Sequence, residues 1–343
     1  MYKAVFTDHV FDDISIIKKV LTGVAKVFEY QCNTDKEVIK IAHDADAVMV
    51  VNYSPITRRV IEKLDKCKII SRFGIGVDAV DLDAATEKGI MVTNVPDYCL
   101  DEVSDHAIAM MLHLERKLSL ADRNVRETLQ YRPQDLKPIK GLKDSTVGII
   151  GLGKIGKLSA KKLYAFGMNV VFYDPFIQED WQEDFWTAKR VDFEELMCQS
   201  DYILIHAPYT PQNYHLIDER SLVLAQKAPC IINVSRGELI DTDGLASALK
   251  SGRISAVGLD IIEGGVPIDP TSEILKLDNV LLTPHSAWYS EKALVRLQTS
   301  AATSVLEALT GKIPANCVNK DRLSRLPHFY PKYDLTRHKT PPY

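Results

Sequence analysis

The chain has 343 residues, 46% of them hydrophobic and 26% charged, with a formal net charge of -4. That length gives room for two domains with cores of their own. The mild acidity and the absence of any long basic run argue against a partner such as nucleic acid or a membrane surface. The first residues turn acidic at once instead of running from basic to apolar, so no secretory leader is expected. No window looks long and apolar enough to span a bilayer, and the cytoplasm is the expected compartment. The six cysteines, Cys32, Cys67, Cys99, Cys198, Cys230 and Cys317, are scattered without metal-like spacing. They read as reduced, mostly buried thiols, and no metal is expected.

Taken in chain order, short apolar β-branched runs alternate with amphipathic stretches, the βαβ pattern of a parallel sheet. Strands are expected at residues 3–7, 47–51, 68–71 and 89–94, with helical stretches at 14–21 and 35–42 between them. A long helical pattern then runs from about residue 101 to 123, with Val103, Ala107, Met110, Met111 and Leu114 at helical spacing. It reads as a bridge out of the first domain. After a polar stretch over 131–143 the pattern restarts with a strand at 146–150, a helix at 154–166 and a strand at 169–173. Later strands are expected at 202–206, 230–233, 256–260 and 280–283. A helix over 290–310 is expected to return the chain to the first domain. The tail after Asp321 is rich in proline, tyrosine and basic residues, and no structure is assigned to it.

The segment TVGIIGLGKIG over 146–156 contains a GxGxxG at Gly151, Gly153 and Gly156. Alone the motif is weak. Here it follows an apolar strand and opens an amphipathic helix, the context of a dinucleotide-binding turn. Gly151 permits the tight turn, Gly153 lets the backbone approach a pyrophosphate, and Gly156 lets helix and sheet pack closely. The helix N-terminus then faces the phosphates. The next strand ends at Asp174, 18 residues past Gly156. A carboxylate there accepts from ribose hydroxyls and repels a 2′-phosphate, which favours NAD over NADP.

Three further patches end later strands, where ligands bind in such folds. NVSRGELID over 233–241 places Arg236, GLDIIEGG over 258–265 places Asp260 and Glu263, and TPHSAWYSE over 283–291 places His285. Oxidising a hydroxy acid needs a base for the alcohol proton and a cation for the carboxylate. His285 suits the first because an imidazole titrates near neutrality, at about 6.5. Arg236 suits the second because its planar fork matches a carboxylate. Trp288 and Tyr289 follow His285 closely, and one of them, with Trp288 the first candidate, is expected to cap a substrate pocket and to favour an apolar or aromatic side chain on the substrate. Interdomain packing is its alternative role. Asn52, Tyr53 and Ser54 end an early strand and are candidates for the opposite wall.

With these motifs go SRFGIGVD over 71–78 and NVPDYCLDEVSDH over 94–106. On all of them the chain resembles the D-2-hydroxyacid dehydrogenase family, which includes the phosphoglycerate dehydrogenases, and particularly the branch containing the C-terminal-binding proteins. The resemblance implies an α/β protein. A Rossmann-type doubly wound parallel sheet forms the NAD-binding domain, over 104–289. A flavodoxin-like substrate domain is built from both chain ends, over 1–103 and 290–343. It also implies a homodimer formed through the NAD domain, a 2-hydroxy/2-oxo acid substrate, Arg236 on the substrate carboxylate and His285 as acid/base. Gly74, Ile75 and Gly76 would offer N–H groups to the same carboxylate. Lys154, Ile155, His206, Ala207, Pro208, Val234 and Ser235 would join the cofactor site, and Asp260 would face the nicotinamide carboxamide. The family usually carries a glutamate five residues after the aspartate, where it pairs with the catalytic histidine. Here that position is Gly265. Either Glu263 serves from a reshaped loop or the histidine acts without a carboxylate. A non-enzymatic NAD(H)-sensing scaffold, or a relative acting on formate or phosphite, are the alternative readings.

Overall fold

The computed structural model describes residues 1–51, 54–265 and 267–326. The chain divides into two compact units, Met1–Tyr98 with Ser290–Tyr343, and Cys99–Tyr289.

The first unit opens with β1 (Tyr2–Phe6), α1 (Ser15–Val20), β2 (Ala25–Glu29), α2 (Asp35–Ala42) and β3 (Ala47–Val50). There follow α3 (Arg58–Ile61), β4 (Ile69–Arg72), α4 (Leu82–Glu87) and β5 (Met91–Thr93). The five strands form one parallel sheet in the order β2-β1-β3-β4-β5, the flavodoxin-like order. Every residue of β3 and β4 is buried. Such runs suit strands covered on both faces. β2 was not expected. It is a half-exposed edge strand, AKVFE, whose mixed composition hides the usual apolar signal.

The second unit opens with α5 (Leu100–Arg116) and α6 (Leu118–Thr128). The single helix expected over 101–123 is thus two. Lys117 takes a left-handed φ of 52° between them. The inward stripe of α5 ends with Met110 and Met111, and α6 buries no side chain. Without a core to follow, the helix is free to break. Leu118, Val125 and Leu129 of this region are exposed.

Next come β6 (Thr146–Ile150), α7 (Lys154–Ala165), β7 (Asn169–Tyr173), and a hairpin of β8 (Trp181–Glu183) and β9 (Trp186–Arg190). The rest is α8 (Phe193–Gln199), β10 (Tyr202–Ile205), α9 (Glu219–Val223), β11 (Cys230–Asn233), α10 (Thr242–Lys250), β12 (Ala256–Leu259) and β13 (Val280–Leu282). The sheet runs β13-β12-β11-β10-β6-β7-β9-β8, parallel but for β8. Alternate residues of one strand enter different cores. Tyr202 and Leu204 of β10 join the cluster formed with Met111 and Leu163, whereas Ile203 and Ile205 join that of Leu222 and Leu249. Side chains two apart share a face, so α5 and α7 cover one side of the sheet and α8, α9 and α10 the other. The sheet is doubly wound.

Register then fixes a line of residues. Ile150 pairs with Ile205, Ile205 with Asn233, Asn233 with Leu259, and Leu259 with Leu282. The residues that follow these five, Gly151, His206, Val234, Asp260 and Thr283, leave the sheet side by side, about 4.8 Å from strand to strand.

From β13 the chain returns to the first unit as α11 (Glu291–Leu309), capped by the Ser290 hydroxyl, which accepts from the Ala293 amide at 2.9 Å. It packs against α1 and β4. A short α12 (Lys320–Leu323) is the last helix among the described residues. Just before it Asn319, 2% exposed, fastens this returning segment to β5. Its Oδ1 accepts from Val92 N at 3.0 Å, and its Nδ2 donates to Ile90 O at 3.0 Å and Thr86 Oγ1 at 3.1 Å. No helix among the described residues is long and apolar enough to cross a membrane.

Asn319→Ala strands the Val92 donor and the Ile90 acceptor in a dry place. We expect a loss of about 2–4 kcal/mol, from two to three buried hydrogen bonds at about 1 kcal/mol each plus desolvation. Denaturant unfolding reads it directly. An unchanged midpoint would show that the chain ends are joined by packing alone.

Candidate active site

The glycine-rich turn is shaped as its sequence requires. Gly151 has φ 91°, and a Cβ there would lie 2.6 Å from Ala207 N. A Cβ on Gly156 would strike the carbonyl oxygen of Gly151. Gly153 is the N-cap of α7, and a Cβ there would meet nothing within 4 Å. No side chain caps α7. The amides of its first turn, from Lys154 and Ile155 onward, are therefore left to a ligand, at the positive end of the helix. Asp174 is locked beside them. Its Oδ2 accepts from Leu152 N and its Oδ1 from Phe176 N, both at 2.9 Å. Glycines, uncapped helix and fixed carboxylate together fit the pyrophosphate and ribose of a dinucleotide. On the next strand His206 shares a 2.9 Å hydrogen bond with Ser159 Oγ. Desolvation lowers its pKa and keeps the ring neutral. Ala207 closes on Gly151, and Pro208 is exposed.

Arg236 follows β11 on a turn built by a buried asparagine. Asn233 Nδ2 donates to Arg236 O at 2.8 Å, and its Oδ1 accepts from Ser235 N at 3.0 Å. Ser235 Oγ reaches Ile205 O of β10 at 2.9 Å, and Val234 packs on the core beneath. The guanidinium donates through Nη1 to Ser235 O at 2.9 Å.

One strand further, Asp260 is 1% exposed and its carboxylate gathers the loop that carries His285. Thr283 Oγ1 donates to Oδ1 at 2.5 Å, Ser286 N to Oδ1 at 2.9 Å and Ala287 N to Oδ2 at 3.0 Å. His285 N donates to Asp260 O at 2.8 Å. His285 itself has a left-handed φ of 52°, a conformation a non-glycine residue keeps only where its surroundings enforce it. His106 of α5 completes the group, with Nε2 3.1 Å from Thr283 Oγ1 and 3.6 Å from Asp260 Oδ1. Because the threonine spends its proton on Asp260, it accepts from His106, which fixes the proton on Nε2 of that ring. Trp288 meets Tyr289 edge-on at 5.5 Å.

Glu263 is engaged elsewhere on the same sheet end. Its Oε1 accepts from Tyr214 Oη at 2.8 Å and from His215 Nε2 at 2.6 Å. Gly264 and Gly265 follow with φ of 85° and 70°. A glutamate at 265 would be strained there although space is open.

In the first unit the loop after β4 is held by its own contacts. Gly74 is buried with φ 149°, and the Arg72 guanidinium fills the place of its missing side chain. Val95 N donates to Gly74 O at 2.8 Å and Asn94 Nδ2 to Ile75 O at 2.7 Å, while Ile75 and Gly76 are half-buried. Tyr53 lies outside the described residues.

Nothing in the sequence pattern assigns a role to His106, Tyr214 or His215. His106 closes one of the motifs quoted above, which was its only signal. The other two had none, since each is linked to Glu263 only through folding.

A Rossmann-type sheet with a glycine-rich turn and a fixed acid defines a dinucleotide-binding protein. Residues 108–287 match the model of the D-isomer specific 2-hydroxyacid dehydrogenase, NAD binding domain. The chain is 37% identical over 321 residues to the D-3-phosphoglycerate dehydrogenase of Methanocaldococcus jannaschii, across 93% of this chain but only 60% of that protein. It is 34% identical over 289 residues to the glyoxylate reductase of Korarchaeum cryptofilum, covering 83% of this chain and 86% of that one. Among solved structures, the D-lactate dehydrogenase of Aquifex aeolicus, complexed with NAD and lactic acid, aligns with a TM-score of 0.81 at 29% identity, over 90% of this chain and 96% of that chain. The chain belongs to the family of D-isomer specific 2-hydroxyacid dehydrogenases, and its cofactor domain is of the NAD-binding kind.

Asp260→Asn replaces one acceptor by a donor, so Ser286 N or Ala287 N must face an NH2 group. We expect roughly 1–3 kcal/mol of lost stability and faster amide exchange at residues 286 and 287. If both amides stay protected at the parent rate, the carboxylate is not what holds the His285 loop.

Proposed function

We propose that the protein is an NAD-dependent dehydrogenase that interconverts a small D-2-hydroxy acid and its 2-oxo acid. The observation that carries this reading is one of placement. Arg236, Asp260 and His285 leave the carboxyl ends of three adjacent strands, β11, β12 and β13, in the sheet that bears the dinucleotide turn.

NAD supplies the hydride acceptor, and NADH the donor, when bound along the turn at Gly151, Gly153 and Gly156. Arg236 holds the substrate carboxylate through two parallel N–H bonds, which orients the carbon that exchanges hydride. His285 takes the hydroxyl proton during oxidation and returns it to the oxygen during reduction. Asp260 touches neither proton nor carboxylate in this scheme. It acts on the 283–287 loop and thereby on the imidazole. Asp174, already fixed by two amides, takes the adenosine ribose hydroxyls and selects NAD over NADP. Trp288 favours substrates with an apolar side chain.

The test is NADH oxidation with 2-oxo acids of graded size, from glyoxylate and pyruvate to phenylpyruvate, repeated with NADPH. Turnover with at least one acid, and slower turnover with NADPH, is expected. Arg236→Lys should cut kcat/KM by about 100-fold or more, because a point charge cannot keep the two-bond orientation. Near-parent kinetics of that variant on every acid would remove Arg236 from the clamp role.

The same reading includes a homodimer through the second unit. Its support is α6, an amphipathic helix with no buried side chain and with Leu118 and Val125 exposed. A helix of that kind normally covers its apolar stripe. Sedimentation at micromolar concentration should give twice the 38.5 kDa of the chain, and Val125→Glu should shift it toward monomer. A parent that sediments as monomer would end the dimer proposal.

A further inference from the structure

In this chain the carboxylate nearest to the family's usual position is given to a different pair of side chains, and the pair has an unusual build. Tyr214 and His215 are adjacent in sequence, and side chains of adjacent residues in extended chain point to opposite sides. Here their rings stack at 3.9 Å with 19° between planes. The cause is the left-handed φ of 51° at His215. It turns the imidazole back beside the phenol, so both polar tips reach the same oxygen of Glu263. A left-handed φ is uncommon for a residue other than glycine, so the contacts it makes must hold it there. A carboxylate only accepts, so His215 Nε2 carries a proton.

The surroundings of this clasp show what it encloses. His215 N donates to Glu238 O at 2.9 Å, and two residues on Ile217 N donates to Leu239 O at 2.9 Å. Gly237, in turn, has no room for a Cβ, because the backbone of Ile262 and Glu263 lies against it. The turn 236–239 is therefore flanked by the chain at 215–217 and by the chain at 262–263. The side chain of Glu263 joins those two flanks through His215 and Tyr214. The turn that follows Arg236 is thus tied to both segments that the Glu263 side chain links.

We propose that Glu263, His215 and Tyr214 form a positioning clasp that holds the Arg236 turn, and so sets the geometry with which the substrate carboxylate is received. This rests on Arg236 being the carboxylate clamp. It assigns Glu263 to Arg236 and not to His285, and it makes the Gly264-Gly265 pair the point at which the loop beyond is released from the clasp.

Two variants and two readouts test it in the full-length protein. Glu263→Ala removes the acceptor. Glu263→Gln keeps an oxygen that accepts from both Tyr214 and His215. In Glu263→Ala, amide hydrogen exchange at residues 237–240 should speed by about ten-fold, the scale of losing a charge-assisted hydrogen bond. The KM for the best-used 2-oxo acid of the graded series should rise by about as much, with kcat within about two-fold. Glu263→Gln should restore both. Unchanged exchange at 237–240 in Glu263→Ala overturns the clasp whether or not any acid is turned over. Faster exchange with an unchanged KM overturns its link to the carboxylate. A fall in kcat and a downward move of the alkaline limb of reduction in Glu263→Gln also overturns it, because then the acid serves His285. If Arg236→Lys leaves KM unchanged while Glu263→Ala still loosens 237–240, the clamp role of Arg236 is what has failed, and the clasp no longer has a part in substrate binding.

Discussion

The buried carboxylate of Asp260 is the constraint around which the candidate site of the second unit is arranged. A carboxylate taken out of water must be met by donors or it is expelled or neutralised. Here the donors are the Thr283 hydroxyl and the amides of Ser286 and Ala287. Two of the three are backbone groups of the segment that contains His285. Satisfying the acid therefore bends the chain after β13 into one shape. The left-handed His285 is the local cost of that bend. The imidazole is thus placed by a charge that need not touch it.

That arrangement depends in turn on the sheet. Parallel strands paired in register deliver the residue after each strand to a common edge, whatever the distance between them in sequence. Gly151 and Thr283 are 132 positions apart, yet they leave one sheet in one line. Each following residue then has only a short loop in which to be adjusted. Asn233 adjusts the first such loop for Arg236, Asp260 the second for His285. The frame of the candidate site is therefore backbone, and Arg236 and His285 stand on turns tied down by side-chain-to-backbone hydrogen bonds.

The parts of this that could be read from the sequence are the parts encoded locally. A strand, three glycines and a helix within eleven residues specify a turn with little help from elsewhere. The wholly buried strands β10 and β11 show as apolar runs, and Arg236, Asp260 and His285 each stand next to such a run. Elements lacking a local signal were missed. β2 mixes charge with apolar residues at a sheet edge. The β8–β9 hairpin turns at Asp184, with φ 46°, without the glycine that normally marks a two-residue turn. The break at Lys117 has neither glycine nor proline and follows only from where the core stops. Contacts between loops leave no trace in sequence at all. That Glu263 would meet Tyr214 and His215 depends on two crossovers and on a histidine in a conformation that sequence does not announce.

The same distinction bears on how function varies within this fold. Glycines of the dinucleotide turn are fixed by collisions with backbone, as Gly151 is by Ala207 and Gly156 by Gly151 itself. No neighbouring side chain can change to relieve them. The loop after β12 is under no such restriction. Gly264 and Gly265 face open space, and only their backbone angles limit what may stand there. An acid can be moved along this loop by two positions and find new partners without disturbing the sheet, provided glycines take up the reversed backbone behind it. The Asp260 network lies one strand-end deeper, buried and fully engaged, and could not be shifted in that way. The 261–265 and 214–215 segments are thus joined through side chains alone, whereas the residues that follow the paired strands are set by the register of the sheet beneath them.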